Sequence, residues 1–162
     1  MKLSVGSTGL GRGVFAMEPI LAFERIIEFT GPLLRQSETT PETYAVQIGP
    51  DLYLGASGGP DDFINHSCEP NSGLIIRGQQ VHLHAIRGIR AGEEICFDYS
   101  TTMDEEDWEM TCHCGTAMCR RFVRDGRHLP DEIWNRYLKL GILPDYVQKS
   151  RSAKGRDGDC RK

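Results

Sequence analysis

Short runs of apolar residues, several of them alternating with polar ones, are spread over the first hundred positions of the chain. Between 81 and 85, three apolar residues alternate with His82 and His84, which predicts a half-buried strand with both histidines on its polar face. Similar runs adjoin glycine, proline or aspartate turn signals at 26–29, 44–48, 52–54 and 95–99. The pattern predicts a mainly β protein with few helices, in which 44–48 and 52–54 form a hairpin.

One helix is predicted towards the C-terminus. The triplet Pro-Asp-Glu at 130–132 is typical of a first helical turn, where proline is tolerated and acidic side chains favour the positive end of the helix. An apolar face follows, and Gly141 is expected to end the helix. From 148 to 162 the sequence is basic and polar without periodicity, so we expect this tail to be disordered.

Length and composition narrow the class of protein. A chain of 162 residues with 39% hydrophobic and 26% charged residues is typical of one soluble domain with a tail. The net charge of -4 argues against general nucleic-acid binding, which depends on basic side chains that neutralise phosphates. The sequence shows no signal peptide and no apolar run of membrane-spanning length, so we expect a cytoplasmic protein, or a nuclear one in a eukaryotic cell.

Six cysteines are unevenly placed, and in a reducing compartment metal binding explains them better than disulfides. Cys112, Cys114 and Cys119 form a C-x-C-x4-C pattern, which suits Zn²⁺ if a fourth ligand comes from elsewhere. His113 is awkwardly placed between two of these cysteines. Cys68 is the better candidate, although an ordinary buried thiol is the alternative for it.

Three further stretches carry candidate chemistry. The heptad Asn-His-Ser-Cys-Glu-Pro-Asn at 65–71 concentrates polar and ligand-capable residues, and a strand that ends in Phe-Asp-Tyr at 97–99 follows it. Glycines alternate between 9 and 13, which suits either a turn or a backbone that approaches a ligand closely. The acidic run at 104–109 is typical of a solvated loop.

In this order, the motifs resemble the SET-domain protein lysine methyltransferases with a post-SET zinc segment, and the resemblance covers roughly Gly6 to Arg121. It implies a β-clip-like fold of short antiparallel sheets with a pseudoknot-like C-terminal part. We therefore expect a SET domain over 1–110, a post-SET zinc segment over 111–125, a helical cover over 126–147 and the tail over 148–162.

The resemblance also implies the chemistry: methyl transfer from S-adenosylmethionine to a lysine amine, with Tyr99 as the catalytic tyrosine. The residues implied for cofactor binding are Gly11, Arg12, Asn65 and His66. Phe122 would cover the adenine or, alternatively, pack against the zinc knuckle. Cys68, Cys112, Cys114 and Cys119 would hold one zinc ion. Phe97 occupies the position where the family uses phenylalanine or tyrosine to set the degree of methylation, so more than one methyl transfer is expected.

The sequence departs from the family pattern at several positions. Phe29 replaces a common tyrosine, Asp62 stands where many members have a basic residue, and the insert that builds a peptide groove is short. The expected partner is a basic protein or peptide, with a small cationic amine such as a polyamine as a variant. The alternative of another class is a non-catalytic, zinc-stapled module that binds peptides. The presence of Asn65, His66 and Tyr99 weighs against that module.

Overall fold

The computed structural model describes residues 2–40 and 44–157. The described residues form twelve short strands and two α-helices. The strands are β1 (Leu3–Thr8), β2 (Gly11–Ala16), β3 (Arg25–Phe29), β4 (Leu33–Leu34), β5 (Val46–Gly49), β6 (Leu52–Leu54), β7 (Asn65–His66), β8 (Ser72–Arg77), β9 (Gln80–Ala85), β10 (Glu94–Phe97), β11 (Glu109–Thr111) and β12 (Phe122–Arg124). The helices are α1 (Asp131–Leu140) and α2 (Asp145–Asp157). Neither helix, in the part of the chain described, is long and apolar enough to cross a membrane.

The strands form four small sheets, with the strand orders β1-β2-β10-β7, β3-β9-β8, β4-β6-β5 and β11-β12. Most neighbours are antiparallel, but β7 and β10 run parallel, with Asn65 opposite Cys96 and His66 opposite Phe97. This pairing places the heptad at 65–71 beside the Phe-Asp-Tyr strand. This parallel pairing is consistent with a pseudoknot-like arrangement of the C-terminal part. The passage of one segment through a loop of another stays a prediction.

The main hydrophobic core lies between the sheets of the first hundred residues, where Val14, Leu74, Leu83 and Ile95 are fully buried. A second core joins the C-terminal segment to this body, and Ile142 packs within it. Gly73 on β8 makes the close approach possible, since a Cβ there would lie 2.7 Å from the side chain of Ile142. The C-terminal helices are therefore part of the folded unit.

Several predicted elements are confirmed. The hairpin of β5 and β6 turns at 49–51, and β9 alternates buried and partly exposed residues. The helix α1 begins at Asp131 and ends before Gly141, which adopts a left-handed conformation with φ of 69°. A glycine is favoured there because it has no Cβ to clash with the preceding carbonyl.

The expected disorder of the tail is wrong for residues 148–157, which belong to α2. This helix has no periodic apolar face, and contacts with residues distant in sequence stabilise it instead. Val147 is fully buried, the Tyr146 hydroxyl donates to the carbonyls of Gln47 and Thr102, and Arg151 stacks on Trp134 at 4.4 Å. Residues 158–162 lie outside the described part of the chain.

Candidate active site

A polar cleft of about 450 Å³ lies between the β1–β2 turn, the heptad and the cysteine-rich segment. Its lining includes Thr8, Gly9, Leu10, Asn65, His66, Arg87, Glu94, Cys96, Cys114 and Thr116. Its volume is within the range typical of small-molecule sites. Two of the residues predicted to bind a cofactor, Asn65 and His66, therefore lie on its wall.

Asn65 joins three strands at this cleft. Its amide nitrogen donates to the carbonyl of Arg12 at 2.9 Å and to Oε1 of Glu94 at 2.8 Å. Gly13 allows this approach, because a Cβ there would lie 2.5 Å from Glu94 Oε1. The side chain of Asn65 is thus committed to fixing the main chain around Arg12.

The other residues predicted to bind a cofactor lie beside the cleft. Gly11, with φ of 115°, and Arg12 begin β2 directly after the turn that lines it. The Arg12 guanidinium stacks on the ring of Phe63 at 3.7 Å. Phe122, on β12, is 57% exposed, so packing against the cysteine knuckle does not bury its ring.

A second, aromatic cleft of about 520 Å³ has a different lining. Its aromatic wall consists of Phe29, Tyr44, Tyr53, Phe97, Tyr99 and Trp108. Successive side chains of a strand point to opposite faces, and on β10 Cys96 lines the polar cleft while Phe97 lines the aromatic one. The end of β10 therefore separates a polar cavity from an aromatic cavity.

Tyr99 and Ile64 line the aromatic cleft, and Asn65, which follows Ile64, lines the polar one. The hydroxyl of Tyr99 donates to the main-chain carbonyl of Ile64 at 2.9 Å, and the Tyr99 ring lies 4.8 Å from the ring of Phe97. Burial, reinforced by Cys96 and Glu94, raises the pKa of Tyr99 well above its ordinary value. The phenol therefore stays protonated and serves as a fixed hydrogen-bonding group.

The four cysteines predicted to bind zinc come together. The sulfurs of Cys68, Cys112, Cys114 and Cys119 all lie within 4.8 Å of one another, and Cys68 and Cys112 are 3.7 Å apart. A tetrahedron with Zn–S bonds of about 2.3 Å has sulfurs roughly 3.8 Å apart, so the spacing suits zinc. Backbone amides of Cys114 and Arg120 donate to two of the sulfurs, an arrangement that stabilises thiolates.

His66 lies between this cysteine cluster and Tyr99. Its side chain is 3% exposed, with Nε2 3.3 Å from the Cys68 sulfur and Nδ1 accepting from the Tyr99 amide at 3.2 Å. Because Nδ1 accepts, the proton of the neutral ring is on Nε2 and points at the sulfur. Burial lowers the pKa of His66 to about 4 despite the nearby Asp98 carboxylate, so the ring is neutral near pH 7.

Sequence patterns did not reveal a buried network around Asp98, whose side chain is fully buried. Its Oδ1 accepts from Arg120 Nη2 at 2.6 Å and its Oδ2 from the Tyr137 hydroxyl at 3.0 Å. Arg120 directly follows the last cysteine of the cluster, and Tyr137 is on α1. The position of Asp98 inside the Phe-Asp-Tyr motif was the one sequence feature that pointed to this residue. Its partners Arg120 and Tyr137 could not be predicted, because they are distant in sequence.

The acidic run at 104–109 is more than a solvated loop. It lines an acidic groove of about 590 Å³ together with Asp51, and Glu105 and Trp108 line both this groove and the aromatic cleft. The hydroxyl of Tyr53 donates to the Glu105 carboxylate. Negative charge is therefore built into the edge of the aromatic cleft.

Two clefts on opposite faces of one strand, a partly buried tyrosine in the aromatic cleft and four clustered thiols are features of a SET-domain protein. Residues 11–100 match the SET domain, and the chain belongs to that family. It is 34% identical over 129 residues to histone-lysine N-methyltransferase 2B of Homo sapiens, covering 70% of this chain and 5% of that protein. It is also 34% identical over 129 residues to histone-lysine N-methyltransferase ASHH3 of Arabidopsis thaliana, covering 68% and 35% respectively.

A solved structure supports the fold as well. The crystal structure of KRYPTONITE in complex with mCHG DNA and SAH has a TM-score of 0.65 and 27% sequence identity, and the match covers 75% of this chain and 29% of that one. The chain thus spans a minor part of the relatives it matches, about a third of the length of ASHH3 and less of 2B. The mainly β SET-domain fold predicted from the sequence is confirmed.

Proposed function

We propose that this chain is an S-adenosylmethionine-dependent N-methyltransferase that acts on a lysine side chain of a protein. The observation that carries the proposal is the hydrogen bond between the Tyr99 hydroxyl and the Ile64 carbonyl in the lining of the aromatic cleft, directly next to Asn65 in the lining of the polar cleft. Relatives named histone-lysine N-methyltransferases and a similar structure solved with SAH support it.

The polar cleft is the proposed cofactor site. Asn65 holds the main chain at Arg12, and Gly11 follows the turn that lines the cleft. His66 adds a neutral, buried wall. The exposed ring of Phe122 is available to cover an adenine that binds at the edge of the site. When bound, the cofactor supplies a methyl group on a sulfonium sulfur.

The aromatic cleft is the proposed lysine channel. A lysine amine has an ordinary pKa of about 10.4 and must lose its proton before it can attack. Desolvation among Phe97, Tyr99 and Trp108 disfavours the ammonium form. Tyr99 and the Ile64 carbonyl then orient the amine in line with the methyl group. With the cofactor bound, the nitrogen lone pair would form the N–C bond as the C–S bond breaks, and the displaced pair would stay on sulfur.

A basic peptide is the proposed substrate. Glu105 and the other carboxylates of the acidic groove would attract cationic residues that flank the target lysine. The lining of the aromatic cleft continues along Tyr44, Ala45 and Val46. A similar structure contains an H3(1-15) peptide.

Phe97 supports the proposal that more than one methyl group is added. Its ring is 4% exposed, packs edge-on against Phe29 at 6.2 Å and carries no hydroxyl that could fix the orientation of an amine. A partly methylated amine then has room to rotate and present its lone pair again.

A cytoplasmic location, or a nuclear one in a eukaryotic cell, is also proposed. The support is the cluster of four thiols, which can bind a metal only where cysteines stay reduced. Fluorescence microscopy of a tagged chain tests this location, and accumulation in an oxidising compartment would contradict it.

A direct test of function is incubation with cofactor that carries a labelled methyl group. The substrates would be an H3(1-15) peptide, a matched peptide with each flanking basic residue replaced by glutamine, and spermidine. Mass spectrometry is expected to show transfer to the basic peptide above the other two. Transfer to spermidine alone would favour the polyamine alternative, and peptide binding without any transfer would favour the non-catalytic module.

A further inference from the structure

The sulfur of Cys68 receives hydrogen-bond donors from two different parts of the fold. One donor is the ring of His66, at 3.3 Å, and the other is the backbone amide of Arg120, at 3.4 Å. His66 also contacts Tyr99, and Arg120 also contacts Asp98, directly after the end of β10. Cys68 is therefore a metal-ligand candidate with two connections towards Tyr99.

The first connection passes through the His66 ring. Nε2 carries the proton that points at Cys68, while Nδ1 accepts from the main-chain amide of Tyr99 at 3.2 Å. A flat, rigid ring fixes the distance between its two nitrogens. A shift of the Cys68 sulfur is consequently transmitted to the Tyr99 main chain.

The second connection passes through Arg120. Its guanidinium, 15% exposed, donates to Asp98 Oδ1 at 2.6 Å, and the same oxygen accepts from the Ser100 amide at 3.1 Å. Asp98 directly precedes Tyr99 and caps the short 3-10 turn that Tyr99 begins. Tyr137 holds the other carboxylate oxygen, so Asp98 has one fixed position.

We propose that His66 and Arg120 are positioning residues through which metal occupancy of the four-cysteine cluster sets the position of Tyr99. This inference rests on the proposed methyl transfer, because it assigns Tyr99 a part in that reaction. Both connections start at one sulfur and end at adjacent residues, 98 and 99, so the cluster controls the catalytic tyrosine as well as the fold of its own segment.

The chemical reason is the nature of the acceptor. A thiolate that is bound to zinc stays anionic, and an N–H group directed at an anion forms a stronger hydrogen bond than one directed at a neutral thiol. A thiol is a weak acceptor and a competing donor. Loss of the metal therefore weakens both connections at their shared end, which loosens the hold of His66 and Asp98 on the main chain at Tyr99.

Arg120→Met tests the second connection, and Arg127→Met is a matched control. Arg120 and Arg127 have side chains that are 15% and 14% exposed, and each pairs with a fully buried aspartate, Asp98 and Asp125 respectively. In the zinc-loaded proteins we expect Arg120→Met to lower kcat about tenfold while cofactor affinity and zinc content stay unchanged. Arg127→Met is expected to lower the melting temperature without this loss of kcat. Arg120→Lys should recover part of the kcat.

The first connection is tested in the wild-type protein and then in one variant of His66. In ¹⁵N-labelled wild-type protein, zinc loading is expected to move the amide resonance of Tyr99 and the Nε2 resonance of His66 together. The amide of Arg25, which lies on another sheet, is the internal reference and should not move. His66→Asn keeps an acceptor near Tyr99 but is too short to reach Cys68, so it should uncouple the Tyr99 resonance from zinc.

Equal losses of kcat in Arg120→Met and Arg127→Met would overturn the role of Arg120. A Tyr99 resonance that does not respond to zinc would overturn the role of His66. The resonance experiment needs no turnover, so it decides the connection even if no substrate is methylated. Conversely, active variants with unchanged kcat would refute the positioning role and leave the methyltransferase proposal standing.

Discussion

The hydroxyl of Tyr99 donates a hydrogen bond to the main-chain carbonyl of Ile64 at 2.9 Å, and both residues line the aromatic cleft. The carbonyl belongs to the residue just before β7, and the hydroxyl follows β10, so the contact depends on the parallel pairing of those strands. A phenol and a carbonyl held in this way form a fixed polar frame in a mostly aromatic channel. The frame can orient an amine without any general base.

Removal of the Tyr99 hydroxyl is predicted to affect turnover more than binding. Tyr99→Phe should lower kcat about a hundredfold, because the amine loses an orienting partner, while cofactor affinity measured by calorimetry stays within about twofold. Tyr146→Phe is the matched control, since it removes a buried hydroxyl that bonds to the carbonyls of Gln47 and Thr102. Equal kinetic effects in both variants would rule out a specific role for Tyr99.

A hydroxyl added at position 97 should limit the number of methyl groups. Phe97→Tyr is expected to shift the product towards monomethyl-lysine, because the new hydroxyl would hold the amine or a water in one orientation. Intact-mass analysis of the peptide measures the distribution. Phe15→Tyr adds the same group on β2, outside the aromatic cleft, and should leave the distribution unchanged. Strict monomethylation by the wild type would show that the proposed multiple transfer is wrong.

The dependence of activity on pH should follow the substrate amine. Burial keeps the pKa of Tyr99 above its ordinary value, so the hydroxyl remains protonated as the pH rises. The deprotonated fraction of a free lysine, whose pKa is about 10.4, increases as the pH rises towards that value. The value of kcat/KM should therefore rise from about pH 7 to about pH 9.5. A fall within that interval, in protein that circular dichroism shows to be folded, would mean that Tyr99 or another required acid ionises there.

Loss of zinc should weaken cofactor binding. Cys114 and Thr116 line the polar cleft, so disorder of the cysteine-rich segment removes part of its wall. Cys112→Ser is expected to lower the bound zinc from about one equivalent and to reduce cofactor affinity about tenfold or more. Cys96→Ser is the control, because Cys96 lines the same cleft but does not belong to the cluster. Unchanged cofactor affinity after zinc loss would show that the polar cleft does not depend on the cysteine-rich segment in this way.

A methyl group at Gly126 should destabilise the docking of α2. A Cβ there would lie 2.3 Å from Val147 and 2.9 Å from the carbonyl of Ser100. Such overpacking costs about 1–3 kcal/mol, so Gly126→Ala should lower the melting temperature by several degrees. At Gly88 a Cβ would meet nothing within 4 Å, and Gly88→Ala should melt like the wild type. Indistinguishable melting curves for the two variants would contradict this packing.

Local sequence patterns correctly predicted those strands, turns and helices that are determined by residues within the same short segment. Alternation in β9, the turn signals of the β5–β6 hairpin and the left-handed Gly141 after α1 all act within a few residues of chain. The helix α2 was missed because its stability comes from Tyr146 and Arg151, whose partners lie far away in sequence. Periodicity within the segment carries no sign of those partners.

In the candidate site, too, some features could be predicted from the sequence and others could not. The cysteine spacing indicated three zinc ligands and Cys68 as the candidate fourth, the resemblance to a known family implied the same set, and the structure brings all four together. The buried contacts of Asp98 with Arg120 and Tyr137 could not be predicted, because they join three segments that meet only in the folded chain. The opposite directions of Cys96 and Phe97 were accessible from strand alternation alone, once β10 was assigned.

The parallel pair of β7 and β10 has a consequence for the order in which the molecule is made. The two strands are separated in sequence by the β8–β9 hairpin, so their pairing must wait for that hairpin and closes a long loop. On a ribosome, Cys68 emerges well before Cys112, Cys114 and Cys119. Zinc therefore finds its complete set of ligands only after Cys119 has been synthesised, when β1 to β11 have been made and the helices α1 and α2 have not.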